Sequence, residues 1–390
     1  MLSFSPATAR IRLDAVNSTQ RTSLSAHSER KPQLPALTGL RALLALGILL
    51  FHFTPPHLAL LAPLYDYAYV YVGVFFLLSG YVLAYNYGDR TAPLIKRDFW
   101  RARFARLYPV YLLALAISFS MLQAEWHVRS HRDFFTGLIL TPLLLQGWFP
   151  TLATFWNTVA WTLSAEVLLY VTFPWLIRLP WPKSPGRLIA LLAAIWAVSL
   201  VPHSLYLLLN PDHLAAAPNR YTFGFWLRAL KYTPPAYAAI FLAGVALGKL
   251  QNSLVLTQLQ RTLVAAASLF AIALFLILLA PRVPYVLLHG SLMIPLFAAL
   301  AIGLSGKNFV ASAFSWRPLT LLGEASYCLF LLHFNLLNLL RNDRVADRLH
   351  LSACDPWLSY AITILLALAA YYLVEEPARK ALLRRRTVAN

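Results

Sequence analysis

Apolar runs close to bilayer length recur ten times along this chain, and that recurrence limits the fold more than any single residue does. They lie near 37–55, 69–87, 104–121, 157–178, 188–208, 233–250, 262–280, 289–305, 319–340 and 357–374. Roughly 20 apolar residues in a helix cross about 30 Å of hydrocarbon, so the expected fold is all-α: a polytopic membrane bundle of about ten transmembrane helices. Composition agrees, with 59% hydrophobic and 12% charged residues and a mean hydropathy of +0.61. A water-soluble fold of this length needs far more polar surface. Short connections join the runs into one membrane domain over 34–376, with a disordered basic cytosolic arm at 1–33 and a basic cytosolic tail at 377–390. Pro174 and Pro295 are expected kink sites, which packed membrane helices tolerate.

A formal charge of +18 raises the possibility of nucleic acid, but the lysines and arginines lie between apolar runs, which is how membrane topology is written. The stretch Gly137 to Trp148 decides the count. It holds Thr141-Pro142 and is short for a span. If it does not cross, 23 basic residues face one side and nine the other; if it does, the bias collapses. Both termini are therefore expected in the cytosol, and 137–148 is expected to form an outer-leaflet or re-entrant helix. The N-terminal arm has no hydrophobic core of a secretory signal, and the plasma (inner) membrane is the expected location. Cys328 and Cys354 make neither a disulfide framework nor a metal-ligand spacing, so no metal is expected.

Charges inside the apolar runs are the candidate functional groups, because an ionisable side chain is costly there and usually faces a protein interior or a water-filled cavity. His52 lies in Phe51-His52-Phe53. It is either a buried histidine bonded to a neighbouring helix or a working imidazole. Arg41 precedes it by eleven positions, which returns to nearly the same helix face after a rise of roughly 16 Å. Glu166 has Thr162 and Tyr170 one turn away on either side as local partners. Counting from the helix ends puts His52 roughly 22 Å from the cytosolic side and Glu166 roughly 13 Å from the outer side, within about a turn of one another in height. A histidine–carboxylate pair is then expected if the two helices are neighbours. His333, in a later run, is expected to make an interhelical hydrogen bond.

At the cytosolic mouth of the third run stand Arg101, Arg103 and Arg106, the last two sharing a helix face. One reading is topology and contact with anionic lipid. The other is a phosphate clamp, because guanidinium forks match phosphate oxygens.

Together these residues resemble a known family. Gly39-Leu40-Arg41-Ala42 to His52-Phe53, then Val74-Phe75-Phe76-Leu77-Leu78-Ser79-Gly80-Tyr81, then the arginine segment ending in Tyr108-Pro109, are similar to the membrane-bound acyltransferase-3 family of O-acyltransferases. Trp161-Thr162-Leu163-Ser164-Ala165-Glu166 resembles its Trp-Ser-Leu-x-x-Glu element, and Ser326-Tyr327 through His333 its Ser-Tyr-x-x-Tyr-x-x-His element. Glu376-Pro377-Ala378-Arg379-Lys380 fits the close of the last helix. Phe330 stands where the family has tyrosine, and Val167 and Leu168 where it often has an acidic residue and a glutamine.

The resemblance implies transfer of an acyl group, commonly acetyl from acetyl-CoA, to a hydroxyl of a carbohydrate or of a lipid-linked or hydrophobic acceptor. By the same resemblance Arg41, His52 and Glu166 are catalytic, Arg103 and Arg106 bind acyl-CoA, and the chain is the membrane module without a soluble esterase-like domain. A histidine near its working pKa can take the proton as the hydroxyl attacks a thioester, with a carboxylate orienting it. Arg41 would hold the donor or the oxyanion, and Ser79 or Ser164 would carry the acyl group if an acyl-enzyme forms. His333 and Tyr327 complete the candidate set. The rival reading is a proton-coupled secondary transporter using His52, Glu166 and Arg41; a membrane-embedded binding or assembly protein ranks below it, because both leave the ordered motifs unexplained.

Overall fold

The apolar runs fold as helices, and a few prolines, glycines and buried polar groups decide where those helices start, bend and touch. The computed structural model describes residues 31–55, 61–89 and 94–383. The arm expected over 1–33, apart from its last three residues, and the tail beyond Leu383 lie outside them. The principal helices are α1 (Pro35–His52), α2 (Val70–Tyr87), α3 (Lys96–Ile117), α4 (Phe119–Val128), α5 (His131–Leu140), α6 (Trp161–Leu176) and α7 (Pro185–Leu209). They continue as α8 (Phe225–Tyr232), α9 (Ala238–Ser253), α10 (Gln258–Leu274), α11 (Ile294–Leu304), α12 (Arg317–Glu324), α13 (Ser326–Asn342), α14 (Trp357–Ala370) and α15 (Glu376–Leu383). No strand occurs among the described residues.

The polytopic helical bundle is borne out, with a different division into spans. Six stretches are long and apolar enough to cross unaided: α1, α2, α7, Gln258–Arg282, Tyr285–Leu304 and Trp357–Leu383. Three bent pairs are long and apolar enough to be a broken span or a re-entrant loop: α3 with α4 at 62°, α8 with Pro234–Ser253 at 51°, and α12 with α13 at 69°. The run expected at 157–178 yields only the 16 residues of α6, about 24 Å of helix. Pro174 lies inside α6 near its end. Pro295 sits in the first turn of α11 and so starts a helix instead of kinking one, because the missing N–H is not needed there.

Packing follows from small residues. A Cβ on Gly80 would lie 2.3 Å from the Phe241 carbonyl oxygen, and one on Gly244 2.1 Å from that of Leu77. These two glycines let the backbones of α2 and α9 touch, which matters in lipid because dispersion contact replaces the hydrophobic drive. The bend between α3 and α4 has a polar cause. Ser118 is fully buried; its hydroxyl donates to the Ala114 carbonyl at 2.5 Å and accepts from Asn157 at 3.2 Å and Asn335 at 2.5 Å. Such back-bonding bends helices.

The segment expected as a helix over 137–148 is helical only to Leu140, followed by turns and a short 3-10 turn at Gln146–Trp148. Irregular backbone at this level is tolerated only when protein encloses it. Here Thr141, Gln146, Phe155 and Asn157 are all fully buried. The Tyr111 hydroxyl donates to the Thr141 carbonyl at 2.5 Å and the Tyr108 hydroxyl to that of Pro142 at 3.1 Å, tying the segment to α3. At the far end of the chain, the helix runs unbroken through the boundary expected at 376/377. A π-turn at Tyr371–Glu375 precedes α15 and leaves Glu375 only 2% exposed.

Candidate active site

Side chains from α1, α2, α3, α6 and α13 converge on a cavity of about 850 Å³, its open mouth included. Arg41 comes from α1, Ser79 from α2, Arg103 and Arg106 from α3, Thr162, Glu166 and Tyr170 from α6, and Ser326 and Tyr327 from α13. Spacings of three and four residues make this possible, since they put Arg103 with Arg106, and Thr162 with Glu166 and Tyr170, on single helix faces. Hydrophobic walls of Phe75, Phe76 and Phe330 complete the enclosure.

The polar groups form two lines. In one, the Ser79 hydroxyl donates to Tyr170 at 3.1 Å and the Tyr170 hydroxyl donates to Glu166 Oε1 at 3.4 Å. Trp100 Nε1 fixes the same turn by donating to the Tyr170 carbonyl at 3.1 Å. In the other, Arg106 Nε lies 3.6 Å from Glu375 Oε1, while the Cys328 thiol donates to Glu375 Oε2 at 3.2 Å. The Arg103 guanidinium lies 5.6 Å from the centre of the Phe99 ring and 5.9 Å from that of Tyr170, and its Nε is buried without a hydrogen-bond partner. Arg41 has no hydrogen bond or ion pair among the described residues. Three guanidinium groups therefore share the cavity wall with one carboxylate, and Glu375 stands behind Arg106. That surplus of donors suits an anionic ligand.

The imidazoles sit elsewhere on the same scaffold. His52 ends α1, about three turns beyond Arg41, and does not line the cavity. Its ring centre is 5.3 Å from that of His333, 5.1 Å from Phe51 and 5.2 Å from Phe334. His333 is 1% exposed. Its Nδ1–H donates to the Phe330 carbonyl at 2.7 Å, and its Nε2 is buried without a partner. Phe330 connects the two regions: it lines the cavity, and its ring centre is 6.1 Å from that of His333.

Arg41, Arg103, Arg106, Glu166, Ser79 and Tyr327 are thus brought together around one cavity, and His52 is not among them. The pair expected between His52 and Glu166 is not made: Glu166 bonds Tyr170 and interacts electrostatically with Arg106, Arg41 and Arg103, while His52 meets His333. The bond expected of His333 is made within its own helix. Of the local partners expected for Glu166, Tyr170 is engaged and the Thr162 hydroxyl instead donates to the Val159 carbonyl at 2.8 Å. Ser164 is off the cavity; its Oγ accepts the Gly147 N–H at 3.2 Å and holds the irregular segment against α6. Tyr327 donates to the Leu107 carbonyl at 2.7 Å. Glu375 was passed over for its neighbour Glu376. The signal was present, because a carboxylate at the edge of an apolar run is costly by the same rule that singled out Glu166.

Comparison with known proteins adds an independent line. Residues 34–376 match the family model described as "Acyltransferase domain". The chain is 29% identical to acyltransferase MdmB of Streptomyces mycarofaciens, over 93% of this chain and 95% of that protein. It is 25% identical to O-acetyltransferase OatA of Staphylococcus aureus over 89% of this chain, and 22% identical to peptidoglycan O-acetyltransferase OatA of Listeria monocytogenes, also over 89%. It spans 57% and 56% of the length of those two proteins. No solved structure matches.

Proposed function

Since this chain belongs to the acyltransferase-3 family of integral membrane enzymes, we propose that it transfers an acyl group, in the first instance acetyl, from acyl-CoA to a hydroxyl of a carbohydrate or lipid-linked acceptor. The observation that carries the proposal is the cavity lined by Arg41, Arg103 and Arg106, where the guanidinium groups outnumber the carboxylates and Arg103 Nε has no partner. Those residues fit the phosphates of a CoA donor: forked, charged donors, partly unpaired, in a wall that also has apolar surface. On the topology expected from the basic residues they lie at the cytosolic end, where CoA is available. The acceptor side is the His52–His333 pair, beyond Phe330.

When bound, the donor supplies a thioester carbonyl. Arg103 and Arg106 hold its phosphates, and Arg41 lies on the way from them to His52. His52 accepts the proton of the acceptor hydroxyl as the oxygen attacks. The C–O ester bond forms, the C–S bond breaks, and His52 returns the proton to the departing thiolate, so the imidazole ends neutral. His333, with its proton fixed on the Phe330 carbonyl, offers Nε2 as an acceptor beside His52 and takes over the orienting role expected of Glu166. Glu166 belongs to the donor side, where it limits the surplus of positive charge and positions Tyr170 and Ser79.

The test is transfer itself. Purified protein in nanodiscs, given acetyl-CoA labelled in the acetyl group and extracts of glycans and lipids, should pass label to an ester-linked product. Arg103→Ala and Arg106→Ala should each raise the donor KM about tenfold or more, with Lys recovering part of the loss. Donor KM values unchanged in both variants would return these arginines to a topological role, and substrate movement without transfer would favour a transporter.

A further inference from the structure

On the His52 side the chain gathers a second group of cations that the chemistry above does not use. Arg220, Arg228 and Lys231 come from α8 and the segment before it. Lys231 is 3% exposed. Its ammonium makes one hydrogen bond, to the Arg220 carbonyl at 3.4 Å, and lies 5.3 Å from the ring centres of Tyr232 and Tyr285. Arg228 lies 5.3 Å from the Phe223 ring, and its Nε is buried without a partner. The Arg220 guanidinium is 4.8 Å from the ring centres of both Phe51 and Tyr221.

None of the three has an ion pair among the described residues. Aromatic faces attract a cation but do not neutralise it, and a buried charge without a counter-charge is costly. Asp212, the acid nearest in sequence, is engaged at the start of α8. Its oxygens accept the backbone N–H groups of Trp226 at 3.0 Å and Leu227 at 2.9 Å and the Tyr206 hydroxyl at 3.0 Å. Among the described residues no carboxylate pairs with these three cations, which leaves them available to an anionic group brought by a ligand.

The cluster is continuous with His52. Arg220 covers Phe51, whose ring centre is 5.1 Å from that of His52 and 5.6 Å from that of Tyr69. Tyr69 stacks on His289 at 5.8 Å and meets Tyr285 at 4.9 Å, and Tyr285 returns to Lys231. One aromatic wall thus joins the cations to the imidazole, and flat rings of this kind also suit the apolar faces of a sugar.

From this we infer that Arg220, Arg228 and Lys231 form an anion seat for the acceptor: the enzyme selects a carbohydrate that carries a phosphate or a carboxylate, and holds that group so that a hydroxyl of the same molecule reaches His52. The inference rests on the placement of the acceptor at His52 argued above. An anionic lipid headgroup offers the same oxygens, so the test must separate the two sources.

Binding without donor does so. The full chain in phosphatidylcholine nanodiscs is titrated with glucose, glucuronic acid and glucose 1-phosphate, and binding is followed by ligand-observed NMR. The charged sugars should bind about tenfold or more tightly than glucose, the scale of a charge-assisted hydrogen bond. Arg220→Gln and Arg228→Gln should each remove most of that advantage, read as the ratio of charged-sugar to glucose affinity, while Arg220→Lys keeps part of it. Lys231→Gln is buried and can fail to fold; the half-buried Arg220 and Arg228 keep the test decisive in that case. Equal binding of the three sugars, or an advantage that survives both Gln variants, overturns the inference. Loss of the advantage when phosphatidylglycerol is added to the discs assigns the seat to a lipid headgroup and overturns it as well. No acyl transfer enters the readout, so a failure here leaves the reaction assigned above standing, and the reverse also holds.

Discussion

His333 turns Nδ1 to the Phe330 carbonyl, so in the neutral imidazole the opposite nitrogen is an acceptor without a partner in a buried site, with the His52 ring centre 5.3 Å away. With no carboxylate bonded to either imidazole among the described residues, the proposed reaction divides by location: proton transfer on the acceptor side, charge binding on the donor side. His52→Ala should lower transfer by about 10²–10⁴ with donor KM near that of the native enzyme. Glu166→Gln should do the opposite, changing donor KM and leaving the shape of the kcat–pH profile intact. Steady-state kinetics across pH separate the two, and a Glu166→Gln profile altered like that of His333→Gln would restore the histidine–carboxylate pair. Arg41 and Glu166 were legible one by one, as charges inside apolar runs, and Arg103 and Arg106 as a pair on one helix face at the mouth of a run. Their convergence was not. Residue counting gives depth only for upright helices that start at the membrane surface, and α6 instead begins at Trp161, inside the protein, where Val159, Ala160 and Trp161 are all buried.

At the level of elements, the irregular stretch between α5 and α6 fixes where α6 begins and hence where Glu166 and Tyr170 sit. Ser164 secures it through the Gly147 N–H, and Gly147 has no room for a side chain: a Cβ there would lie 2.6 Å from the Ser164 Cβ. Ser164→Ala therefore leaves a buried N–H unpaired, at a cost of about 1–3 kcal/mol. The expected result is a lower thermal midpoint with transfer retained below it; complete loss of transfer in protein of native stability would make Ser164 an acyl carrier after all. Period and hydropathy identified the apolar runs but not this stretch, nor the bends in the spans. Both depend on polar contacts between elements distant in sequence, such as Ser118 with Asn157 and Asn335, which no local pattern encodes. The same holds for Pro295, whose place at a helix start follows from the turn at Gly290–Met293 before it.

For the whole molecule, the arrangement is one cavity lined by arginines and a separate cluster of imidazoles and outer cations on the same scaffold, with Phe330 lining the cavity and its ring centre 6.1 Å from that of His333. Its sense across the membrane rests on the 23-to-nine division of basic residues and on the stretch 137–148 not crossing. The absence of any helix from Thr141 to Ala160 longer than a 3-10 turn fits that division. Labelling with a membrane-impermeant thiol reagent tests it. Cys354 is exposed and Cys328 buried, so a background carrying Cys354→Ser is needed. In that background Ala124→Cys, exposed on α4, should label in intact cells, and Lys183→Cys, exposed before α7, should label only after the membrane is opened. The opposite pattern would put Arg103 and Arg106 on the acceptor side, where no CoA pool meets them. It would overturn the donor assignment while leaving the contacts around the cavity as they are.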